Sequence, residues 1–220
     1  MYYFCPSLTV FFFQMSFLWL RYWKTHKKLS LMDFKNSLIR LWSLVASPSA
    51  MWSELASEQG DYRNQDFKFL LYILAIDAVC TLVGSLAHDH SVVYCVMNSI
   101  FTPACFCASV FIVFYIVQQT SLNIEGLDCR DIKSDILFRL VIYSVSLNIV
   151  LDAIHVLFPS LFFIWILDLY SFYLIWEGLG NMLNVSDEVR FRPTVYLSVM
   201  ILALPFILMF LTKLLIPAAA

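Results

Sequence analysis

Along this chain, hydrophobic positions gather into long runs separated by short polar stretches. A membrane span needs about 20 mostly apolar residues to cross roughly 30 Å of hydrocarbon. Five runs of that size follow residue 66, at 67–86, 93–118, 136–157, 161–183 and 194–216. Each predicts a helix, because a segment surrounded by lipid must satisfy its own backbone hydrogen bonds. Pro103 and Pro205 fall inside the second and fifth runs and predict bends there. Pro193 precedes the fifth run, where it suits a helix start. The fold expected is all-α: a polytopic transmembrane helical bundle with a five-span domain over 67–217.

The pattern before residue 67 is different. An apolar run at 2–20 is followed by a basic aromatic stretch at 21–28. It lacks the basic leading region and small-residue cleavage site of a signal peptide. Residues 1–31 therefore read either as an extra N-terminal span or as an upstream extension with the start at Met32. In the polar region 32–66, Phe34, Leu38, Leu41, Trp42 and Val45 recur at helical spacing, with Lys35 and Arg40 beside them. That spacing predicts an amphipathic helix lying in the interface plane. Ser47 and Pro48 then read as the cap and first position of a second helix, with Trp52 as a headgroup-level anchor. Residues 57–64 read as a polar linker.

Composition strengthens the membrane reading. The chain is 61% hydrophobic and 14% charged, and its mean hydropathy is +0.78. A soluble domain carries about 25% charged residues. The net charge of −2 gives no reason to expect a nucleic-acid partner. The bilayer is the partner expected, together with other membrane proteins or further copies of the chain. The cysteines, Cys5, Cys80, Cys95, Cys105, Cys107 and Cys129, form no CxxC or Cys/His zinc spacing and read as small apolar fillers.

The distribution of charge predicts an orientation. Thirteen of the fourteen basic residues precede or open the first span, or lie between spans two and three or four and five. The loops at 87–92 and 158–160 contain no Lys or Arg. By the positive-inside rule, residues 21–66, 119–135 and 184–193 face the cytoplasm, and the C-terminus faces out.

Two local patterns carry a family resemblance. The stretch from Leu41 to Trp52 places one Trp before a Pro and a second Trp after it, ahead of the first span. The segment Asp168 to Gly180, followed by the acidic-basic loop Val185 to Arg190, leads at once into the last span. Over about residues 32–217 the chain resembles the bacterial branch of the Yip (Rab/Ypt-interacting) five-span membrane proteins. The resemblance implies a multi-pass protein of the bacterial cytoplasmic membrane. Rab-binding eukaryotic relatives imply partner binding or membrane organisation rather than enzymatic activity. Glu177 departs from the pattern, in which an uncharged residue precedes the Gly.

Ionisable groups inside spans are costly and are functional candidates by default. They are Asp77, Asp152, His155, Asp168 and Glu177. At about 1.5 Å per residue, Asp152 and Asp168 lie some 22 to 24 Å from the cytoplasmic side, and Asp77 about 15 Å. His155 shares a face with Asp152. The tight turn at Phe158-Pro159-Ser160 makes spans three and four antiparallel neighbours, so these three groups can converge. With His88, Asp89 and His90 in the preceding outer loop, they form a candidate divalent-metal or proton site, the alternative being an interhelical hydrogen-bond network. A small transporter or channel using these groups is the alternative to a partner-binding protein. Glu177 is expected to pair with Arg139, and Asp77 to meet Asn148. Gly178 and Gly180 suit close helix packing. No nucleophile–base triad, phosphate loop or HExxH motif is present, so no catalytic residue, enzymatic activity or cofactor is expected.

Overall fold

A computed structural model describes residues 31–58, 62–88, 91–120, 134–161 and 163–215. The chain divides into two compact units, Met1–Asn36 and Ser37–Ala220. Of the first, only the opening turns of one helix are described. The apolar run at 2–20, the basic stretch after it, Cys5 and Cys129 lie outside the described residues.

Among the described residues eight helices follow one another: α1 Leu31–Ala46, α2 Pro48–Ser57, α3 Tyr62–Ala87, α4 Val92–Thr120, α5 Ser134–Leu157, α6 Ile164–Asp168, α7 Tyr170–Leu183 and α8 Asp187–Leu215. No strand occurs among the described residues. Among the described residues four helices are long and apolar enough to cross a membrane: α3, α4, α5 and α8, over Arg63–Ala87, Val92–Gln119, Ser134–Leu157 and Asp187–Thr212. The protein is a multi-pass, all-α membrane protein.

The helix α5 is the hub of the second unit. Fifteen of its residues are buried, in an almost unbroken series from Leu137 to Ala153. A helix apolar all round is one that other helices surround, and α3, α4, α6, α7 and α8 all pack on it. The outer helices carry the lipid-facing side chains. Val79 and Val83 on α3, Ile100 on α4, and Val199, Ile207 and Phe210 on α8 are exposed. The far end of the α3–α5 contact is especially close. A Cβ added at Gly84 would meet the Val156 carbonyl oxygen at 2.6 Å, so only glycine fits there.

Two expectations about elements need correction. The run at 161–183 is not one regular α-helix. At Leu169, between the five-residue α6 and the fourteen-residue α7, the backbone stays helical (φ −64°, ψ −21°) but its bonds tighten to the 3₁₀ type, from Leu169 N–H to the Ile166 carbonyl and from Phe172 N–H to the Leu169 carbonyl. At about 1.5 Å per residue, α7 alone covers some 21 Å, and α6 and α7 together about 30 Å. Hydropathy sums over a window, and no Pro or Gly marks this tightening. The last helix also begins earlier than expected. It starts at Asp187, with Asp187 and Glu188 in its first turn where acids suit the helix dipole. Pro193 and Pro205 both lie within it, and Pro103 lies within α4.

Candidate functional site

The most connected polar group sits at the end of the bundle where α3 and α5 begin. Arg139, on the second turn of α5, is 3% exposed. Its Nε donates to Asp66 Oδ2 at 2.9 Å and its Nη1 to the Leu55 carbonyl at 2.6 Å. Its Nη2 lies 3.1 Å from Glu58 Oε2, an ion pair not aligned as a hydrogen bond. Glu58 accepts from Arg40 Nη2 at 2.6 Å through its other oxygen, and Arg40 Nη1 donates to the Tyr143 hydroxyl at 3.0 Å. Burial opposes the charge on Arg40, but Tyr143 and Glu58 more than offset it and raise its pKa. The network joins α1, the residue after α2, and the first halves of α3 and α5. Two guanidinium groups face two carboxylates, so the charges balance within it.

Aromatic packing seals this network. Tyr143 stacks on Phe69 with centroids 4.4 Å apart and meets Trp52 edge-on at 6.1 Å. Trp52 is wholly buried, and its Nε1 has no hydrogen-bond partner among the described residues. It fills the gap that Gly178 leaves on α7. A Cβ there would meet Leu140 Cδ1 at 2.7 Å and the indole at 3.1 Å. Trp52 is therefore a core residue and not the headgroup anchor its spacing suggested. The Ser47–Pro48 helix start stands where the sequence places it, although the Ser47 side chain makes no capping hydrogen bond.

The expected Glu177–Arg139 pair does not form. Arg139 turns toward α2 and α3, and Glu177 accepts from its own helix neighbour, Asn181 Nδ2, at 3.2 Å. Matching depth put the two at one level but could not fix the faces they occupy. Nor does Asp77 meet Asn148. Asn148 accepts from Ser171 Oγ at 2.7 Å. Asp77 is fully buried, and neither of its carboxylate oxygens has a hydrogen-bond partner among the described residues. Close to the same end, Gly180 lies under the Arg190 guanidinium. Arg190 donates twice to the Val185 carbonyl, pairs with Asp187 at 2.8 Å and covers Trp176. This clasp closes the α7–α8 turn, where Asn184 adopts φ 51° in the left-handed region that Asn tolerates.

At the opposite end, the structure brings the sequence-predicted polar cluster together. Asp152, His155 and Asp168 line one cavity of about 30 Å³, with Asn148, Pro205 and Phe206 among its other walls. That volume holds about two water molecules. Asp168 is the last residue of α6, so the 3₁₀ turn at Leu169 borders the cavity. His88 is not among the residues lining this cavity. It is exposed, and its Nδ1 donates to the Gly84 carbonyl one turn back at 2.6 Å. Asp89 and His90 lie outside the described residues. Among the described residues no three His, Cys, Asp or Glu side chains are grouped closely enough to hold a metal ion.

Asp66, Glu58 and Tyr143 are the members of the buried network that sequence reasoning missed. Glu58 sits in what reads as a linker, and Asp66 at the border of the first span. One signal was available: a basic residue on the second turn of a span needs an acid at the same end, and Asp66 is the last acid before the first span. No protein-family model, curated protein or solved structure matches the chain.

Proposed function

We propose that this protein is a non-enzymatic, Yip-type membrane protein of a bacterial cytoplasmic membrane. In this reading it binds partner proteins or organises the bilayer, with the Arg139 end of the bundle in the cytoplasm. The supporting observation is the docking of α1 and α2 by Arg40, Glu58, Asp66 and Arg139. Four charged groups are committed to holding a helix pair against the bundle in one pose, as a presented surface requires. The orientation rests on the clustering of Lys and Arg at that end. The test is extraction of the full chain from native membranes in lipid particles, followed by identification of co-purifying proteins. A membrane protein recovered at a constant ratio is the expected result. Recovery of the chain without a constant partner, from membranes unaltered by its deletion, overturns the proposal.

A second reading, a small transporter or channel, is favoured by the cavity shared by Asp152, His155 and Asp168 beside the 3₁₀ turn at Leu169. In proteoliposomes this reading expects proton or divalent-metal flux that Asp152→Asn abolishes. Absence of flux in the unsubstituted protein refutes it.

A further inference from the structure

The stretch of α1 from Ser37 to Ala46 presents its faces in an order unsuited to water. The face toward the bundle holds Ser37, Arg40 and Leu44, and Ser37 and Leu44 are buried. The face turned away holds Leu38, Ile39, Trp42 and Val45, of which Trp42 is 73% exposed. These four fall on one stripe at helical spacing, and within Ser37–Ala46 no charged side chain interrupts it; exposed Lys35 stands one turn earlier at the same spacing. A helix at an aqueous surface turns its charged residues outward. Here the one charged residue of the stretch is turned inward, where Glu58 and Tyr143 receive it.

The level of α1 along the bundle follows from its partners. Tyr143, which Arg40 reaches, is nine residues after Ser134 and so about 13 Å from the start of α5. The Tyr170 hydroxyl donates to the Val45 carbonyl at 3.0 Å. Tyr170 precedes Gly178, which packs on Trp52, by eight residues, or about 12 Å along α7. The stretch Ser37–Ala46 therefore lies against the flank of the bundle and not across its end. Beside it, Leu169 and Tyr173 on the α6–α7 side are also exposed, which continues the apolar belt past Val45.

We infer that Ser37–Ala46 is immersed in one leaflet, with Leu38, Ile39, Trp42 and Val45 against acyl chains, and that the Arg40–Glu58–Arg139 network holds it at that depth. The occupant of this face is the hydrocarbon of the leaflet, because the stripe adjoins the exposed Leu169 and Tyr173 and the Trp42 indole N–H is its single side-chain polar group. The helix was expected to lie on the surface; in this account Ser37–Ala46 is a wedge filling one leaflet beside α7. The inference rests on the membrane-organising reading for its purpose and on geometry alone for its position.

The test uses the full chain in phosphatidylcholine–phosphatidylglycerol vesicles containing a lipid with a photoreactive diazirine, placed either at the acyl-chain end or in the headgroup. Adducts are mapped by mass spectrometry. The acyl-chain probe is expected to label Leu38, Trp42 and Val45 in yields comparable to Ile207 and Phe210 on α8, and the headgroup probe is not. In Arg139→Met the acyl-chain labelling of α1 falls to background while that of α8 persists, which also shows that the bundle still inserts. Labelling of α1 by the headgroup probe alone overturns the inference in favour of a surface helix. Failure of both probes to label α1, while α8 is labelled, overturns it in favour of a face covered by protein. Loss of a co-purifying partner leaves these yields unchanged, so the two readings fail separately.

Discussion

Replacing Arg139 by Met should release the helix pair that the network holds. The substitution keeps most of the side-chain volume but removes the Nε bond to Asp66, the Nη1 bond to the Leu55 carbonyl and the ion pair to Glu58. Asp66, with a side chain 2% exposed, is then left as a buried carboxylate without its cation. Breaking a buried pair by removing one partner costs about 3–5 kcal/mol, chiefly through the stranded charge. For a chain of 150–250 residues each 1 kcal/mol moves the midpoint by about 2–4 °C. The expected loss is therefore about 6–20 °C in a thermal-unfolding scan of the purified protein. The same reasoning predicts that the double variant Arg139→Met, Asp66→Leu recovers much of that loss, since no stranded charge remains. A single variant within about 1 °C of the parent, or a double variant that simply adds two losses, refutes the account of a coupled buried pair.

Four further outcomes follow from other contacts. Gly84→Ala places a Cβ against the Val156 carbonyl and should cost about 1–3 kcal/mol, read by the same thermal scan. Gly178→Ala first meets the mobile end of Leu140 and should cost less; an order opposite to this refutes the assignment of the close crossing to Gly84. Asp77→Leu removes a buried carboxyl with no hydrogen-bond partner among the described residues and should leave the midpoint unchanged or raise it; a clear fall shows that the carboxyl has an essential partner. Arg190→Met opens the clasp over Val185 and Asp187 and should speed proteolysis at the α7–α8 turn, while an unchanged cleavage rate contradicts its role there.

Much of the bundle was legible because lipid imposes a simple rule on composition. The expected spans at 67–86, 93–118 and 136–157 fall within α3, α4 and α5. The convergence of Asp152, His155 and Asp168 was legible from one tight turn and a count of rise per residue. What stayed hidden depends on azimuth, meaning which way a side chain points around its helix. Depth alone matched Arg139 to Glu177, while the structure turns Arg139 toward Asp66. Trp52 has the composition of an interfacial anchor, and only the hollow at Gly178 explains its burial. The 3₁₀ turn at Leu169 had no signal, since a window of apolar residues reads the same whether the helix within it is regular or locally tightened.

The Arg40–Tyr143 bond also sets a schedule for making the protein. Its partners are 103 residues apart, and Arg139, which completes the network, comes almost as late. At about 5–20 residues per second, α1 and α2 wait roughly 5–20 s after synthesis before their dock exists. Gly178, against which Trp52 closes, follows later still. During that interval Glu58 and Asp66 have no Arg139 to meet, and an exposed Trp52 has no pocket. The N-terminal helices are made first and seated last, so a ribosome stalled between the second and third spans would leave an open hydrophobic hairpin at the membrane.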